Sequence, residues 1–483
     1  MVPVPTSADL VAVLPQIVLA GAAGVLLVVE AFSPFLRRYV SQLTMLVVAV
    51  AGWLRLEMPL PGRVWGGMLE IDHVASFVDL YILAAVFLTA WMAGPFLRRL
   101  DLDHGEFYSL LLFAAVGASV MAASVDALPL FLGLELLSIP LYVLNAFLRQ
   151  VPISLEAGLK YFVVGAFASA FVVYGIALLY GATATTDLIV MGRTVAESGT
   201  VSPLVGIGFA MVVGGLAFKL ALFPFHGWAP DVYQGGPTPV TAFLSVVPKG
   251  AALVALVRIV DAMDLLQVSS GWLVGGAILA VASQTLGNIV AIVQRDIKRM
   301  LAYSGIAHMG YAMIAVLVAG QDGGAAVLVY LAAYTLMNIG AFAVVAVLSE
   351  RETEPHLITD LAGQGWRRPI LGLALAVCLF SLAGVPPFFG FTAKFVVFRA
   401  AVNAGLVWLA VVGVVNSLIS AFYYLRVVYI LYMQPEPRRL PAYPRAVSIT
   451  AVAAVAAAAV VLIGLYPAPI LAAAQTAALG LVR

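Results

Sequence analysis

Long apolar runs recur through nearly the whole of this sequence, separated by short connections. A helix needs roughly 20 mostly apolar residues to cross the hydrocarbon core of a bilayer. The runs do not alternate between apolar and polar residues, as the strands of a transmembrane barrel do. The pattern predicts an all-α polytopic membrane protein with about fourteen spans. These lie at approximately 10–32, 39–55, 76–96, 106–124, 127–148, 154–180, 203–225, 240–260, 270–293, 297–319, 323–348, 370–400, 404–433 and 447–467.

The composition argues against several other classes of protein. Of 483 residues, 63% are hydrophobic and only 10% are charged, which is unlike a soluble globular protein. The net charge of +1, without any large basic stretch, argues against nucleic-acid binding. The single cysteine, Cys378, excludes an internal disulfide and a cysteine-ligated iron–sulfur cluster, and five scattered histidines form no haem or metal signature. We therefore expect no cofactor and no metal in this chain.

The positive charges in the connections predict the topology. Connections that follow spans 1, 3, 5, 9, 11 and 13 hold fourteen lysines and arginines, including Lys298, whereas the other side holds six, including Arg55 and Arg258. Lysine and arginine accumulate in cytoplasmic loops. Both termini are therefore predicted to face away from the cytoplasm.

The lysines are distributed differently from the arginines. The chain has only five lysines, and Lys160, Lys219, Lys249 and Lys394 lie inside long apolar stretches. An ammonium can lose its proton when it is desolvated, whereas a guanidinium effectively cannot. Buried lysines therefore suit a protein that loads and unloads protons.

Two predicted spans are interrupted close to a lysine. In FKLALFPFHGWAPD a proline and a glycine follow Lys219, and in VPPFFGFTAKF two prolines and a glycine precede Lys394. Proline frees a backbone carbonyl, which at membrane depth must be satisfied by protein or by a wet cavity. These broken spans, 7 and 12, are five apart, which predicts two five-helix repeats, spans 4–8 and 9–13. The predicted regions are the N-terminal spans 1–3 at 1–102, the first repeat at 103–265, the second repeat at 266–434 and the C-terminal span 14 at 435–483.

Glu135 is the only charged residue of its predicted span. An isolated glutamate at membrane depth is costly, so we expect it to face the bundle interior and to meet a cation. Lys219 is the predicted partner. The alternative is a structural ion pair that only fixes helix packing.

The other ionisable residues inside the spans each admit two interpretations. Lys249 has no acid in its helix, and it either takes part in proton transfer or has a snorkelling or structural role. Lys160 lies one turn after Glu156, so a local pair explains both residues as well as a proton path does. His226 and His308 are either hydrogen-bonded interior histidines or proton carriers.

Five segments of the sequence resemble one known family. They are LGLELLSIPLYVLNAF, SLEAGLKYFVVGAFASAFVVYGIALLYGATATTDL, GLAFKLALFPFHGWAPDVYQGGPTPVTAFLSVVPKGAAL, DIKRMLAYSGIAHMGYA and SLAGVPPFFGFTAKF. They closely resemble the subunit N family of the bacterial proton-pumping NADH:quinone oxidoreductase, respiratory complex I, and the resemblance covers essentially the whole chain. The chain length and the lysine at position 394 distinguish it from the sibling subunits L and M.

The resemblance implies a fourteen-helix fold with two inverted five-helix repeats, each containing a broken helix, in the membrane arm of the complex. It implies adjacent subunits M, A, J and K, contact with the lipid bilayer, and a location in the bacterial inner membrane. FMN, iron–sulfur clusters, NADH and quinone would be bound by other subunits. The residues that match the family's proton-transfer positions are Glu135, Lys219, Lys249 and Lys394, with Lys160 and His226 as further matches.

Two other functions fit the same residues. A subunit of a multi-subunit sodium/proton antiporter shares these helices and lysines. A subunit that only joins its neighbours is disfavoured, because apolar packing and small residues would suffice for that role.

Overall fold

The structure is a computed structural model that describes residues 6–32, 36–198, 201–263, 270–348, 356–435 and 447–481. Within these residues, twelve helices are long and apolar enough to cross a membrane. Each predicted apolar run contains helix, but the runs 10–32 and 370–400 are divided into shorter helices. The helical membrane fold is confirmed, while the number fourteen and the repeats stay predictions.

The α-helices of the described residues are numbered in chain order. They are α1 Ser7–Ala12, α2 Leu14–Phe32, α3 Val40–Glu57, α4 His73–Arg98, α5 Gly105–Ala123, α6 Ala127–Asn145, α7 Pro152–Thr183, α8 Leu188–Glu197, α9 Pro203–Leu220, α10 Ala229–Gly235, α11 Thr238–Ala262, α12 Ser270–Val293, α13 Ile297–Val318, α14 Gly320–Leu348, α15 Gln364–Arg367, α16 Pro369–Ala383, α17 Phe389–Asn403, α18 Val407–Met433, α19 Val447–Leu465 and α20 Ala468–Ala478.

Aspartate side chains fix the start of several helices. Asp72, Asp126, Asp187 and Asp296 stand immediately before α4, α6, α8 and α13, and each accepts a hydrogen bond from a backbone N–H of the first turn. These N–H groups have no partner within the helix, so a capping carboxylate stabilises the helix end. The polar residue that ends each connection therefore also sets where the next helix begins.

A small β-hairpin departs from the all-α prediction. Strand β1, Gly62–Val64, pairs antiparallel with β2, Leu69–Ile71, between α3 and α4. The turn passes through Trp65, Gly66 and Gly67, which all have positive φ, a conformation that glycine adopts without strain. Each strand has only three residues, which is too short for the sequence pattern to reveal it.

Helix α11 occupies the centre of the bundle. Every residue in its most apolar stretch is buried, whereas α7 at the periphery is largely exposed. Helix α11 packs against α4, α5 and α9 from the earlier part of the chain and against α13 and α14 from the later part. Lys249, which α11 carries, is therefore held between the two predicted repeats.

Candidate functional site

The predicted interruption after Lys219 is present. Helix α9 ends at Leu220, the next residue, Ala221, has a left-handed backbone with φ of 56°, and helix resumes as α10. The Trp228 indole N–H donates to the Phe218 carbonyl at 3.0 Å. The same carbonyl also accepts from the backbone N–H of Ala221 at 2.9 Å, so protein groups satisfy it at the helix end. Protein groups, rather than lipid, thus surround the helix end beside Lys219.

Lys219 lies in the last turn of α9 and is only 2% exposed. Its Nζ donates to Ser138 Oγ at 2.7 Å and to Tyr161 Oη at 3.2 Å. The Nζ also lies 5.2 Å from the ring centroid of Tyr161, within the range of a cation–π contact. The position at a helix C-terminus favours the positive charge, because the helix dipole is negative there. The direct contacts of this lysine are therefore neutral groups and a helix end.

Glu135 and Lys219 do not touch. The half-buried Glu135 carboxylate accepts a hydrogen bond from the Ser169 hydroxyl of α7. Ser138, which holds Lys219, lies three residues after Glu135 on α6. In the described part of the chain no ion pair joins the two charges. Glu135 and Lys219 are therefore neighbouring charges without a direct contact, and Ser138 of the glutamate's helix binds the lysine.

Lys249 is fully buried, with 0% exposure. Its Nζ lies 5.4 Å from the ring centroid of Tyr233 on α10 and 6.0 Å from that of Tyr334 on α14. No protein atom forms a hydrogen bond with this Nζ in the described structure. A snorkelling lysine would reach an interface. Lys249 instead points at tyrosines from both predicted repeats.

Aromatic side chains connect the surroundings of Lys219 and Lys249. The Tyr161 ring, whose hydroxyl binds Lys219, stacks on Trp228 with centroids 4.7 Å apart. Trp228 in turn meets the edge of Tyr233 at 6.5 Å. These rings form a continuous wall from one lysine to the next.

His308 lies on the other side of Lys249 and is 1% exposed. Its ring is 5.1 Å from that of Tyr334 and 5.8 Å from that of Tyr311. Its Nδ1 is 2.7 Å from Tyr330 Oη and its Nε2 is 3.2 Å from Tyr424 Oη. Both ring nitrogens thus have hydroxyl partners, and a hydroxyl can donate or accept whichever tautomer is present.

Lys394 lies at the second break. Helix α16 ends at Ala383, and the next residue, Gly384, has φ of 89°. Lys394 on α17 reaches back to donate to the Ala383 carbonyl at 3.1 Å. Its Nζ is 4.9 Å from the ring centroid of Tyr311, the tyrosine that packs on His308. The Lys394 ammonium therefore lies at the C-terminal end of α16, as the Lys219 ammonium lies at the C-terminal end of α9.

Lys160 and His226 stand apart from this chain of residues. Lys160 is half-exposed and pairs with Asp231 of α10, while the predicted partner Glu156 is 3.9 Å away. Asp231 also accepts from Arg299 at 2.6 Å. The His226 ring stacks on Phe223, with centroids 5.7 Å apart. No hydrogen bond or ion pair joins either residue to Lys219 among the described residues.

The sequence did not predict that several charged residues are buried. Arg55, Arg258 and Lys298 were predicted in connections, but all three are buried. Arg55 and Arg258 lie near the C-terminal ends of α3 and α11, Lys298 lies in the first turn of α13, and these helix ends are packed within the bundle. Arg258 pairs with Asp72 at 2.7 Å, and Lys298 donates to a backbone carbonyl. Asp231 was also not singled out, although it ends the segment FKLALFPFHGWAPD that marks the first break.

The Arg258 pair supports a stability prediction. Replacing Asp72 with alanine is expected to lower the free energy of unfolding by about 3 kcal/mol, because it leaves a buried guanidinium without its carboxylate. Loss of the α4 cap adds to this effect. The total loss of stability is measured by thermal unfolding of the purified assembly. Asp101→Ala is the control, because its carboxylate is fully exposed in a pair with Arg37; an equal loss of stability in both variants would contradict the prediction.

Comparisons with known proteins agree with this architecture. Residues 124–420 match the family described as NADH:quinone oxidoreductase/Mrp antiporter, TM. NADH-quinone oxidoreductase subunit N of Trichlorobacter lovleyi is 39% identical, over 96% of this chain and 96% of that protein. A chain of respiratory complex I from Thermus thermophilus is 33% identical with a TM-score of 0.82, over 96% of this chain and 100% of that chain. A chain of the Mrp complex from Dietzia sp. DQ12-45-1b shares the fold, with a TM-score of 0.82 at 21% identity over 99% of this chain and 98% of that chain.

The helical bundle, its two breaks and its buried lysines define a multi-pass membrane protein of the antiporter-like class. The extent of the family match and the identity to the relatives carry the assignment further. The chain belongs to the NADH:quinone oxidoreductase/Mrp antiporter family, and within it to the subunit N group of NADH-quinone oxidoreductase.

Proposed function

We propose that this chain is a membrane-arm subunit of NADH:quinone oxidoreductase and that it translocates protons across the membrane. The observation that carries the proposal is the line of buried lysines, Lys219, Lys249 and Lys394, connected by aromatic side chains and His308. The names of its relatives support the assignment to the complex. Electron transfer from NADH to quinone in other subunits would supply the energy.

The proposed proton route follows these contacts. Protons enter from the cytoplasm to Lys219, pass the Tyr161–Trp228–Tyr233 wall to Lys249, and continue past His308 to Lys394. They leave on the opposite side of the membrane. Buried ammonium groups suit this role, because burial in a low dielectric reduces the free-energy difference between their charged and neutral forms. Lys160, His226 and neighbouring water are further candidates for the entry side.

The proposed control of this route is electrostatic. Unit charges about 4 Å apart interact by about 4 kcal/mol at an effective dielectric of 20, so moving Glu135 relative to Lys219 changes the proton affinity of the lysine substantially. Glu135 is half-buried on α6, next to the exposed Leu132 and Ile139. A charge in a neighbouring subunit could therefore act on it.

The same proposal includes the membrane, the orientation and the neighbouring subunits of the chain. We assign the chain to the bacterial inner membrane with both termini on the periplasmic side. Its neighbours would be subunit M and the small subunits A, J and K, with lipid around them. FMN, iron–sulfur clusters, NADH and quinone would all be held by partner subunits.

Glu135→Gln tests the electrostatic control. The amide can still accept from Ser169 but carries no charge, so NADH:quinone turnover and proton pumping are expected to fall together by about tenfold or more, since about 1.4 kcal/mol corresponds to a tenfold change. Both rates are measured in membranes that contain the assembled complex. Glu106→Gln is the matched control, because Glu106 is an exposed glutamate of the adjacent helix α5. Unchanged pumping in Glu135→Gln would remove this residue from the mechanism.

The second candidate is a subunit of a sodium/proton antiporter, because the Mrp complex shares this fold. Extraction in mild detergent followed by mass spectrometry distinguishes the two. Recovery together with flavin and iron–sulfur subunits is the expected result. Recovery with membrane subunits alone, together with sodium-dependent proton movement, would favour the antiporter.

A further inference from the structure

Asn288 is a fully buried asparagine of α12 whose side chain contacts two tyrosines of other helices. Its Nδ2 donates to Tyr311 Oη of α13 at 2.8 Å and to the Asn416 backbone carbonyl of α18 at 3.0 Å. Its Oδ1 accepts from Tyr423 Oη of α18 at 3.0 Å. A backbone carbonyl only accepts hydrogen bonds, so the contact with Asn416 fixes which side of the amide faces Tyr311. Asn288 therefore acts as a donor to the hydroxyl oxygen of Tyr311.

Tyr311 is also a neighbour of the Lys394 ammonium. The lysine Nζ donates to the Ala383 carbonyl and lies 4.9 Å from the ring centroid of Tyr311. Among the described residues, no carboxylate forms an ion pair with this lysine. A helix C-terminus and an aromatic ring each favour a positive charge beside them. The charged form of Lys394 therefore depends on the end of α16 and on where the Tyr311 ring lies.

The lysines at the two helix breaks use their tyrosines differently. At Lys219, the Tyr161 hydroxyl itself accepts a hydrogen bond from the ammonium at 3.2 Å. At Lys394, the ammonium lies near the Tyr311 ring, and the hydroxyl oxygen accepts from Asn288. A tyrosine ring is rigid, so an oxygen held at Asn288 cannot also turn to the lysine. The orientation of Tyr311 is thus set by a residue of another helix.

We propose that Asn288 is a positioning residue for Lys394. It holds the oxygen of Tyr311 in place, so that the ring, rather than the hydroxyl, stabilises the ammonium. The inference rests on the proposed function, in which Lys394 is the last lysine of the route. Without Asn288, the Tyr311 oxygen loses its donor in an interior where an unpaired polar atom is unfavourable. The ring then turns until the oxygen finds another partner, and Lys394 loses its aromatic contact.

Asn288→Leu is the first test, because leucine is of similar size and forms no hydrogen bonds. Proton pumping and NADH:quinone turnover are expected to fall by at least about tenfold, the range of a desolvated cation–π contact. Both rates are measured in membranes that contain the assembled complex. Asn403→Leu is the matched control, because Asn403 is an exposed asparagine at the end of α17.

Second-site variants distinguish positioning from a general structural role. When Asn288→Leu is combined with Tyr311→Phe, the ring has no hydroxyl to pair and stays beside Lys394. At least about half of the lost activity is therefore expected to return. When Asn288→Leu is combined with Tyr423→Phe, no recovery is expected, because the ring beside the ammonium in the described structure is that of Tyr311. Recovery with Tyr423→Phe, or with neither variant, would overturn the proposal.

Single variants of Tyr311 keep the test decisive where Asn288→Leu does not assemble. Tyr311→Phe keeps the ring and is expected to lose less than about threefold of the activity, whereas Tyr311→Leu removes the ring and is expected to lose at least about tenfold. Equal losses in these two variants would contradict the role of the ring. Normal pumping in Asn288→Leu, with Lys394→Ala inactive, would overturn the positioning role alone. Normal pumping in Lys394→Ala would instead overturn the proposed function.

Discussion

Replacing Lys219 with alanine is expected to nearly abolish proton pumping and to slow NADH:quinone turnover with it, each by at least about a hundredfold. The alanine cannot carry a proton, and the neighbouring hydroxyls of Ser138 and Tyr161 lose the ammonium that they share. Because redox chemistry and pumping are obligatorily coupled in the proposed mechanism, both rates fall together. Oxidation of NADH and acidification are measured on the same inverted membrane vesicles.

The control for this prediction is Ile207→Ala. Ile207 lies on the same helix, α9, but on its exposed side, and it contacts none of the lysines. Assembly of each variant is checked on native gels before rates are compared. Normal pumping with a normal ratio of protons to electrons in Lys219→Ala would eliminate this lysine from the route.

Lys249→Arg is expected to stop pumping as completely as Lys249→Ala, at least about a hundredfold, although it keeps the positive charge. A guanidinium effectively does not release its proton. The charge would therefore stay at the centre of the bundle, and the route between the two halves would be blocked. Pumping and turnover in the assembled complex provide the measurement.

Lys298→Arg is the matched control, because Lys298 is also a buried lysine. Its Nζ donates to the Gly236 carbonyl at 2.7 Å, and an arginine can make the same kind of bond. We expect this variant to keep most of its activity. Full pumping in Lys249→Arg would leave Lys249 only an electrostatic role.

The predicted breaks illustrate what the sequence could reveal about the site. Prolines and glycines near Lys219 and Lys394 signalled that the helices stop there; α9 ends at Leu220, directly after Lys219, and α16 ends at Ala383, shortly before Pro386. Proline and glycine act on their own backbone and on the preceding turn. Such effects are local, so they can be predicted without knowledge of the packing.

The contacts of the charged residues could not be predicted in the same way. The sequence suggested Glu156 as a partner for Lys160, but Asp231, which is 71 residues away, forms the closer pair. The separation of Glu135 from Lys219 also depends on how α6, α7 and α9 are oriented where they pack together. A spacing of one helical turn is visible in a sequence, whereas a contact between distant helices is not.

The amino-acid sequence by itself determined that this chain spans a membrane as helices, that two helices are broken, and that Lys219, Lys249 and Lys394 lie inside. Hydrophobicity and backbone hydrogen bonding fix these features within windows of roughly 20 residues. Only the tertiary structure decided that α11 is central, that Arg55 and Arg258 are buried, and that Lys249 lies near tyrosines of two different helices. Those features depend on side-chain packing between helices far apart in the chain, which no local pattern encodes.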